Sequence, residues 1–247
     1  MDPVLYHTHH SLRSDDLSFW RELARASGGP VLELGCGTGR VLLRLVKDGL
    51  QVHGIDNDPD MLTFLNRMIP PTMGWQIEVN EADMRSFELG RQFPLIILPC
   101  NTLSTFAGGD RKRIYTQALR HLEPGGKFAF SIPNPLILKD LPDEGAVELE
   151  DEFSHPATGN PVAVYSSWIK SPDRITFYWR YDHRYPDGRV KTSELDTTHM
   201  LDAPQRYLAE LHDCGFKATA AYGDFFKTNF TPDAAYFIIT SINASGA

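Results

Sequence analysis

The sequence predicts an α/β protein whose core is a doubly wound, largely parallel sheet, with an antiparallel β insertion after the fifth strand. Three observations carry that reading. Short apolar runs alternate with segments of helical period over residues 15–133 and again beyond 203. The first apolar run enters a loop with glycines at Gly35, Gly37 and Gly39, within VLELGCGTGR (31–40). Between residues 134 and 202 the helical period disappears, and apolar and polar residues alternate instead with the period of a half-buried strand.

Each element follows from local chemistry. Residues 1–29 form an N-terminal helical segment, with a helix over 15–26 that starts acidic, as suits the positive end of its dipole, and stops at Ser27-Gly28-Gly29-Pro30. Val31–Leu34 is a short buried strand, followed by a helix over 38–48 that Gly49 closes. Residues 51–56 form the second strand; Asp58 then caps a helix with Pro59 at its first position and Met61, Leu62, Leu65, Met68 and Ile69 at helical spacing. Strands are predicted at 75–79 and 94–98. A helix capped by Asp110 carries Ile114, Leu119 and Leu122, and the turn Pro124-Gly125-Gly126 opens a strand at 127–132. A helix over 204–214, a strand Phe216–Tyr222 and a last strand at 235–241 complete the core.

In the insertion, Ile175, Phe177, Trp179 and Tyr181 alternate with Thr176, Tyr178, Arg180 and Asp182. Residues 162–169 are the partner strand across the turn Ser171-Pro172-Asp173, and Pro186-Asp187-Gly188 turns into a third strand. The aromatic stripe reads as packing of the insertion, with a substrate wall as the alternative. Residues 140–152 hold seven acidic side chains and read as a solvated loop. The domain division is therefore 1–133 with 203–247 as the core, and 134–202 as an inserted lid or platform.

The composition, 42% hydrophobic and 23% charged over 247 residues, fits a globular domain and excludes a disordered chain or a coiled coil. The net charge of −8 argues against nucleic acid as a partner. Three widely spread cysteines (Cys36, Cys100, Cys214) form neither a disulfide framework nor a metal-binding pair. The first residues lack a basic start followed by an apolar stretch, and no run has the length to cross a bilayer, so the expected compartment is the cytoplasm.

In an open α/β sheet, ligands bind beyond the carboxyl ends of the strands. The bare loop at Gly35, Gly37 and Gly39 follows the first strand and lets a ligand approach the backbone. Asp56 ends the second strand, placed to accept from a ribose diol; Asp83-Met84 follows the third, where a carboxylate can accept from an exocyclic amine. Pro99-Cys100-Asn101 follows the fourth, beside the expected reaction centre. The dinucleotide fingerprint spaces its glycines G-x-G-x-x-G. Here the third glycine comes one residue early, with Arg40 in its place, and the chain holds no Tyr-x-x-x-Lys. Both points weigh against a nicotinamide-dependent reductase, the alternative enzyme reading.

On VLELGCGTGR (31–40), GIDNDPDML (54–62), EADMRSF (81–87) and LEPGGKFAF (122–130), the chain resembles class I S-adenosylmethionine-dependent methyltransferases of small molecules, similar to glycine and amino-sugar N-methyltransferases. The resemblance implies a seven-stranded sheet with the last strand antiparallel, S-adenosylmethionine as cofactor, and methyl transfer to N or O of a small-molecule acceptor. It implies cofactor contacts from Glu33, Gly35, Gly37, Gly39, Asp56, Asn57, Asp83, Met84, Pro99 and Asn101. It also implies an N-terminal segment folded over the cofactor, through Tyr6 and, as a second choice, Arg13.

Candidates for catalysis are Tyr6, His10 and His183. The histidines at 7, 9 and 10 lie in a polar terminal stretch and are read without a metal. The Pro99-Cys100 pair resembles the nucleophile loop of cytosine-C5 DNA methyltransferases, but no Glu-Asn-Val motif and no basic recognition region accompany it. A cofactor-binding module without turnover is the remaining alternative.

Overall fold

The computed structural model describes residues 2–244. The N-terminal segment is two helices, α1 (Pro3–Ser11) and α2 (Leu17–Ser27). Asp2 caps α1 by accepting from the Val4 amide at 3.0 Å, and Pro3 supplies the fixed φ of a first helical residue. The core strands are β1 (Val31–Leu34), β2 (Val52–Asp56), β3 (Ile77–Glu81), β4 (Phe93–Leu98) and β5 (Leu122–Pro133), joined by helices α3 (Leu42–Lys47), α4 (Pro59–Met68) and α5 (Gly108–Arg120). Helix α6 (Pro135–Asp140) leads into β6 (Glu144–Ser154), β7 (Pro161–Ser171), β8 (Arg174–Arg184) and β9 (Val190–Met200); α7 (Pro204–Asp213), β10 (Phe216–Tyr222) and β11 (Tyr236–Asn243) return to the core.

The core sheet has seven strands in the order β10-β11-β5-β4-β1-β2-β3, and β11 runs antiparallel to both neighbours. The order reverses beside β1, so the switch point falls between β1 and β4, where the glycine loop and the loop after β4 emerge together. One face of the sheet packs Ile96, Phe128 and Phe130 against Ile114 and Tyr115 of α5 and Tyr207 of α7. The other packs Val31, Leu95 and Ile97 against Trp20, Leu45 and Leu65 of α2, α3 and α4.

Strands β6 to β9 form a separate four-stranded antiparallel meander. Here the structure corrects the expected solvated loop: the acidic run continues into β6, paired with β7 from Glu144 to Ser154. β6 lies at the sheet edge and carries two register shifts. Charge and bulges on an edge strand keep it from pairing outward, so an acidic composition marks an edge as well as a loop. The helix α6 inside 134–202 is a further departure, capped by the Asn134 side chain accepting from Leu136 N at 3.0 Å.

Smaller corrections concern boundaries. The helix expected over 38–48 begins only at Leu42, because Gly39 holds a left-handed φ of +83° and keeps the preceding residues in a turn. The strand expected at 75–79 starts at Ile77, after a 3₁₀ turn Pro71–Gln76, with Ile77 in register with Val52. Helix α5 starts at Gly108; Asp110 lies in its first turn, and its carboxylate pairs with Arg85 and Arg113 rather than capping.

Candidate active site

The glycine loop crosses over the end of β2. Cys36 N donates to Ile55 O at 3.0 Å, and Gly37 N donates to Asp56 Oδ2 at 2.8 Å. Asp56 Oδ1 accepts from Asp58 N, and Ala82 N donates to Asp56 O, so the ends of β1, β2 and β3 are tied together at Asp56. Gly37 has φ +51°, and a Cβ there would meet nothing closer than Asp56 Oδ2 at 3.9 Å, leaving open space over the backbone. Gly39 differs: it is buried, and a Cβ there would overlap Leu65 and Leu43, so its bareness lets the loop pack on α4. Gly35 abuts Met84, whose Cε lies 3.1 Å from where a Cβ would stand. Asn57 is exposed beside Asp56, and Pro99 is buried at the end of β4.

Two carboxylates near this crossing differ in their environments. Glu33 is buried within β1 and its Oε2 has no hydrogen-bond partner. Burial pushes its carboxyl well above the ordinary range, with Arg40 opposing the shift. Asp83 is held below its usual range by Arg85, whose Nη2 lies 2.6 Å from Oδ2 and whose Nε lies 3.0 Å from Oδ1. Both Asp83 oxygens are thus engaged, and an amine ligand would have to share them with Arg85.

A cavity of about 500 Å³ opens between the loop after β4, helix α1 and the four-stranded sheet. That volume lies in the range of small-molecule sites. On the core side it is lined by Arg40, Cys100, Asn101, Thr102 and Ser131; on the other by Phe177, Trp179, Leu195, Thr197 and His199. The latter five share one face of β8 and β9, with Phe177 opposite Thr197 and Trp179 opposite Leu195. Cys100 and Asn101 both have left-handed φ values, 62° and 64°, which fold the chain sharply away from β4. Arg40 fastens this loop to α2, reaching Asp16 Oδ1 at 2.7 Å and Cys100 Sγ at 3.0 Å.

Helix α1 closes one side of the cavity with Tyr6, His9 and His10. The Tyr6 and His10 rings stack at 4.0 Å, and His10 donates from Nδ1 to Tyr6 O at 2.9 Å. Burial lowers the His10 pKa to about 4, which keeps its ring neutral, and raises that of the Tyr6 hydroxyl. His7 contacts Thr38 Oγ1 at 2.9 Å, tying the helix to the glycine loop. His9 meets the Tyr181 hydroxyl through Nδ1 and Asp151 through Nε2. His9, Glu150 and Asp151 bring ligand atoms within 4.8 Å of one another, but Arg13 occupies the same carboxylates, at 2.9 Å from Glu150 and 3.4 Å from Asp151. The grouping is a charge network that pins α1 to β6.

The structure therefore brings Tyr6, His10 and Asn101 to one cavity but leaves His183 outside it. His183 lies toward the far end of β8, stacked on His155 at 4.4 Å and in contact with Thr158 Oγ1. The aromatic stripe divides: Phe177 and Trp179 line the cavity, while Tyr181 is sealed among Leu5, Val162 and Val164. Sequence reasoning missed Leu195, Thr197 and His199. Their signal is the alternation in SELDTTHM (193–200), legible once β9 is paired to β8.

A seven-stranded core with its last strand reversed, a glycine loop crossing an aspartate at the switch point and a cavity roofed by an inserted sheet define a class I methyltransferase architecture. The methyltransferase-domain family profile matches residues 31–126. A dTDP-4-amino-2,3,4,6-tetradeoxy-D-glucose N,N-dimethyltransferase of Saccharopolyspora spinosa is 30% identical over 190 residues, 76% of this chain and 71% of that protein. An S-adenosylmethionine-dependent methyltransferase from Clostridium acetobutylicum shares the fold with a TM-score of 0.79 at 15% identity, over 92% of each chain. The S-adenosylmethionine-bound structure of CalS10, an amino pentose methyltransferase from Micromonospora echinaspora, does so with a TM-score of 0.74 at 17% identity, over 97% of this chain and 96% of that one. The chain belongs to the S-adenosylmethionine-dependent methyltransferases. Its cofactor is S-adenosylmethionine, and the nicotinamide reading is set aside.

Proposed function

We propose that this enzyme transfers the methyl group of S-adenosylmethionine to a nitrogen or oxygen of a small-molecule acceptor held in the cavity of about 500 Å³. The observation that carries the reading is that Tyr6, Cys100 and Asn101, next to the glycine loop, share this cavity with the apolar face of Phe177, Trp179 and Leu195. One space thus joins a cofactor side to an acceptor side. The amino-sugar substrate in the name of the Saccharopolyspora relative supports a ring-bearing acceptor.

The residues fit the cofactor. Asp56 is the ribose ligand, its oxygens held by Gly37 N and Asp58 N at the end of β2, with Asn57 beside it. Gly35 and Gly37 keep side chains off the loop, and the orphaned Glu33 Oε2 is a hydrogen-bonding atom left for the methionyl part. Asp83 and Met84 flank the adenine, and Pro99, Asn101 and Tyr6 border the reacting end. When bound, the cofactor supplies an electrophilic methyl on sulfonium sulfur. The chain's part is to align an acceptor lone pair with that bond and to exclude water, and such orientation can lower a barrier by roughly 7–11 kcal/mol.

We read residues 1–133 and 203–247 as the cofactor-binding core and 134–202 as the acceptor platform. Nucleic acid is not the acceptor in this reading: the net charge is −8, and Arg13 and Arg40 at the cavity are committed to carboxylates. Among the described residues no helix is long and apolar enough to cross a membrane. The three cysteines are free, which supports a cytoplasmic enzyme.

The test is a melting comparison with S-adenosylhomocysteine and with NAD, followed by transfer of labelled methyl to an acceptor panel. Ligand at a hundred times its Kd adds about 2.7 kcal/mol, or about 5–10 °C for a domain of this size. A shift with S-adenosylhomocysteine alone and transfer to a small molecule are expected. Binding without turnover across the panel would favour a non-catalytic module.

A further inference from the structure

His199 is buried on β9, yet its ring lines the cavity. Its Nδ1 lies 2.8 Å from Ser104 Oγ, in the 3₁₀ turn Thr102–Thr105 that follows β4. Ser104 Oγ also lies 2.7 Å from the Asn101 carbonyl oxygen, which can only accept. The single hydroxyl hydrogen of Ser104 is therefore spent on Asn101, and His199 must donate from Nδ1 to the serine oxygen. This chain fixes the tautomer. Nε2 carries a lone pair, has no hydrogen-bond partner among the described residues and is not sealed from the cavity. The Phe177 ring meets the imidazole edge-on at 5.9 Å and restricts its rotation.

Resting on the methyltransferase reading of this cavity, we propose that His199 is the residue that orients the methyl acceptor, its Nε2 lone pair receiving an N–H of an amine borne on an apolar ring. The ring lies on Phe177, Trp179 and Leu195. With one N–H fixed on Nε2, the nitrogen lone pair is free to point toward the core side of the cavity. The S–CH3 bond breaks with its electron pair left on sulfur, and the N–CH3 bond forms from the nitrogen lone pair. The positive charge passes from sulfonium to ammonium, and the product leaves as the ammonium with its proton. No base needs to store that proton. Burial lowers the His199 pKa to about 4, which suits a neutral hydrogen-bond acceptor and would serve poorly as the base a hydroxyl acceptor requires. Ser104 is a positioning residue that acts through His199.

Three measurements test this. The first is ¹⁵N NMR of the histidine rings in the wild-type complex with S-adenosylhomocysteine. His199 should show a protonated Nδ1 and a bare Nε2, and Ser104→Ala should shift it toward a mixture of tautomers; a protonated Nε2 in the wild type overturns the proposal. The second is methyl transfer to cyclohexylamine and benzylamine, with cyclohexanol as the oxygen counterpart. Transfer to at least one amine and none to cyclohexanol is expected. Wild type that binds S-adenosylhomocysteine yet methylates neither amine overturns the acceptor assignment, whereas failure to bind S-adenosylhomocysteine would instead sink the proposed function. The third is His199→Asn, whose shorter amide keeps a donor toward Ser104 and places no acceptor where Nε2 stands. It should lower kcat/KM for the amine by about 10–100-fold with S-adenosylhomocysteine affinity within about threefold. Unchanged kcat/KM, or an equal loss of cofactor affinity, overturns the role.

Discussion

The two sheets of this enzyme meet the ligand space in opposite ways. Every residue of β1 is buried, and in β4 all but Pro94 are, because helices cover both faces of the core sheet. Such a sheet offers chemistry only at its strand ends, and Asp56, Asp83 and Asn101 all stand there. The inserted sheet is covered on one side: Phe177, Trp179 and Leu195 face the cavity, while Tyr178 on the other face is exposed. It offers a whole surface to a ligand. In the proposed function the comparison separates two tasks, with the cofactor given to loops on the core and the acceptor to a face that touches the core through the His199–Ser104 hydrogen bond.

That separation can be broken first where burial is deepest. Phe128 of β5 is fully buried among Tyr115, Phe130 and Phe216, and Phe128→Ala should cost about 3–5 kcal/mol in denaturant unfolding. A loss under 1 kcal/mol would mean that the core sheet is not the stability reservoir argued here.

Acid should act on the cavity side. His199 is buried with a pKa lowered from 6.5 to about 4 by desolvation. Protonation favours the unfolded chain, so its contribution is full above pH 6.5 and is lost as pH falls through 4. The loss amounts to about 3 kcal/mol. His10, lowered to about 4 by the same cause, acts over the same window. Unfolding free energy measured from pH 7 to pH 4 should fall, and His199→Asn should flatten part of the slope.

The third effect is read on binding. Asp56→Ala should weaken S-adenosylhomocysteine by about 10–100-fold in calorimetry, since a charged acceptor of hydrogen bonds is lost. Affinity unchanged within threefold would remove Asp56 from the cofactor site. Smallest of all, Leu149→Ser on the exposed edge strand β6 should leave both stability and methyl transfer unchanged, within about 0.5 kcal/mol for stability.

Much of the core was legible because its signals are local. The apolar run before Gly35, the cap at Asp58 with Pro59, and the stop at Gly215 each act within a few residues, and the structure places an element boundary at each. The acidic stretch 140–152 misled because charge marks a solvated edge strand as well as a loop. The place of His183 was not legible for a related reason. It belongs to the alternating face of β8, but where that face leaves the cavity depends on how far α1 and the core reach along it.

The sequence by itself determined the class of the enzyme and the strand ends at which its proposed cofactor residues stand, because glycine spacing, caps and apolar period are written within single elements. Only the tertiary structure decided which residues face the cavity. Ser104 and His199 lie 95 positions apart, and their hydrogen bond exists only once β9 is packed over the loop after β4. A tautomer fixed across two sheets has no local signature, since it depends on who receives the one hydrogen that Ser104 can give.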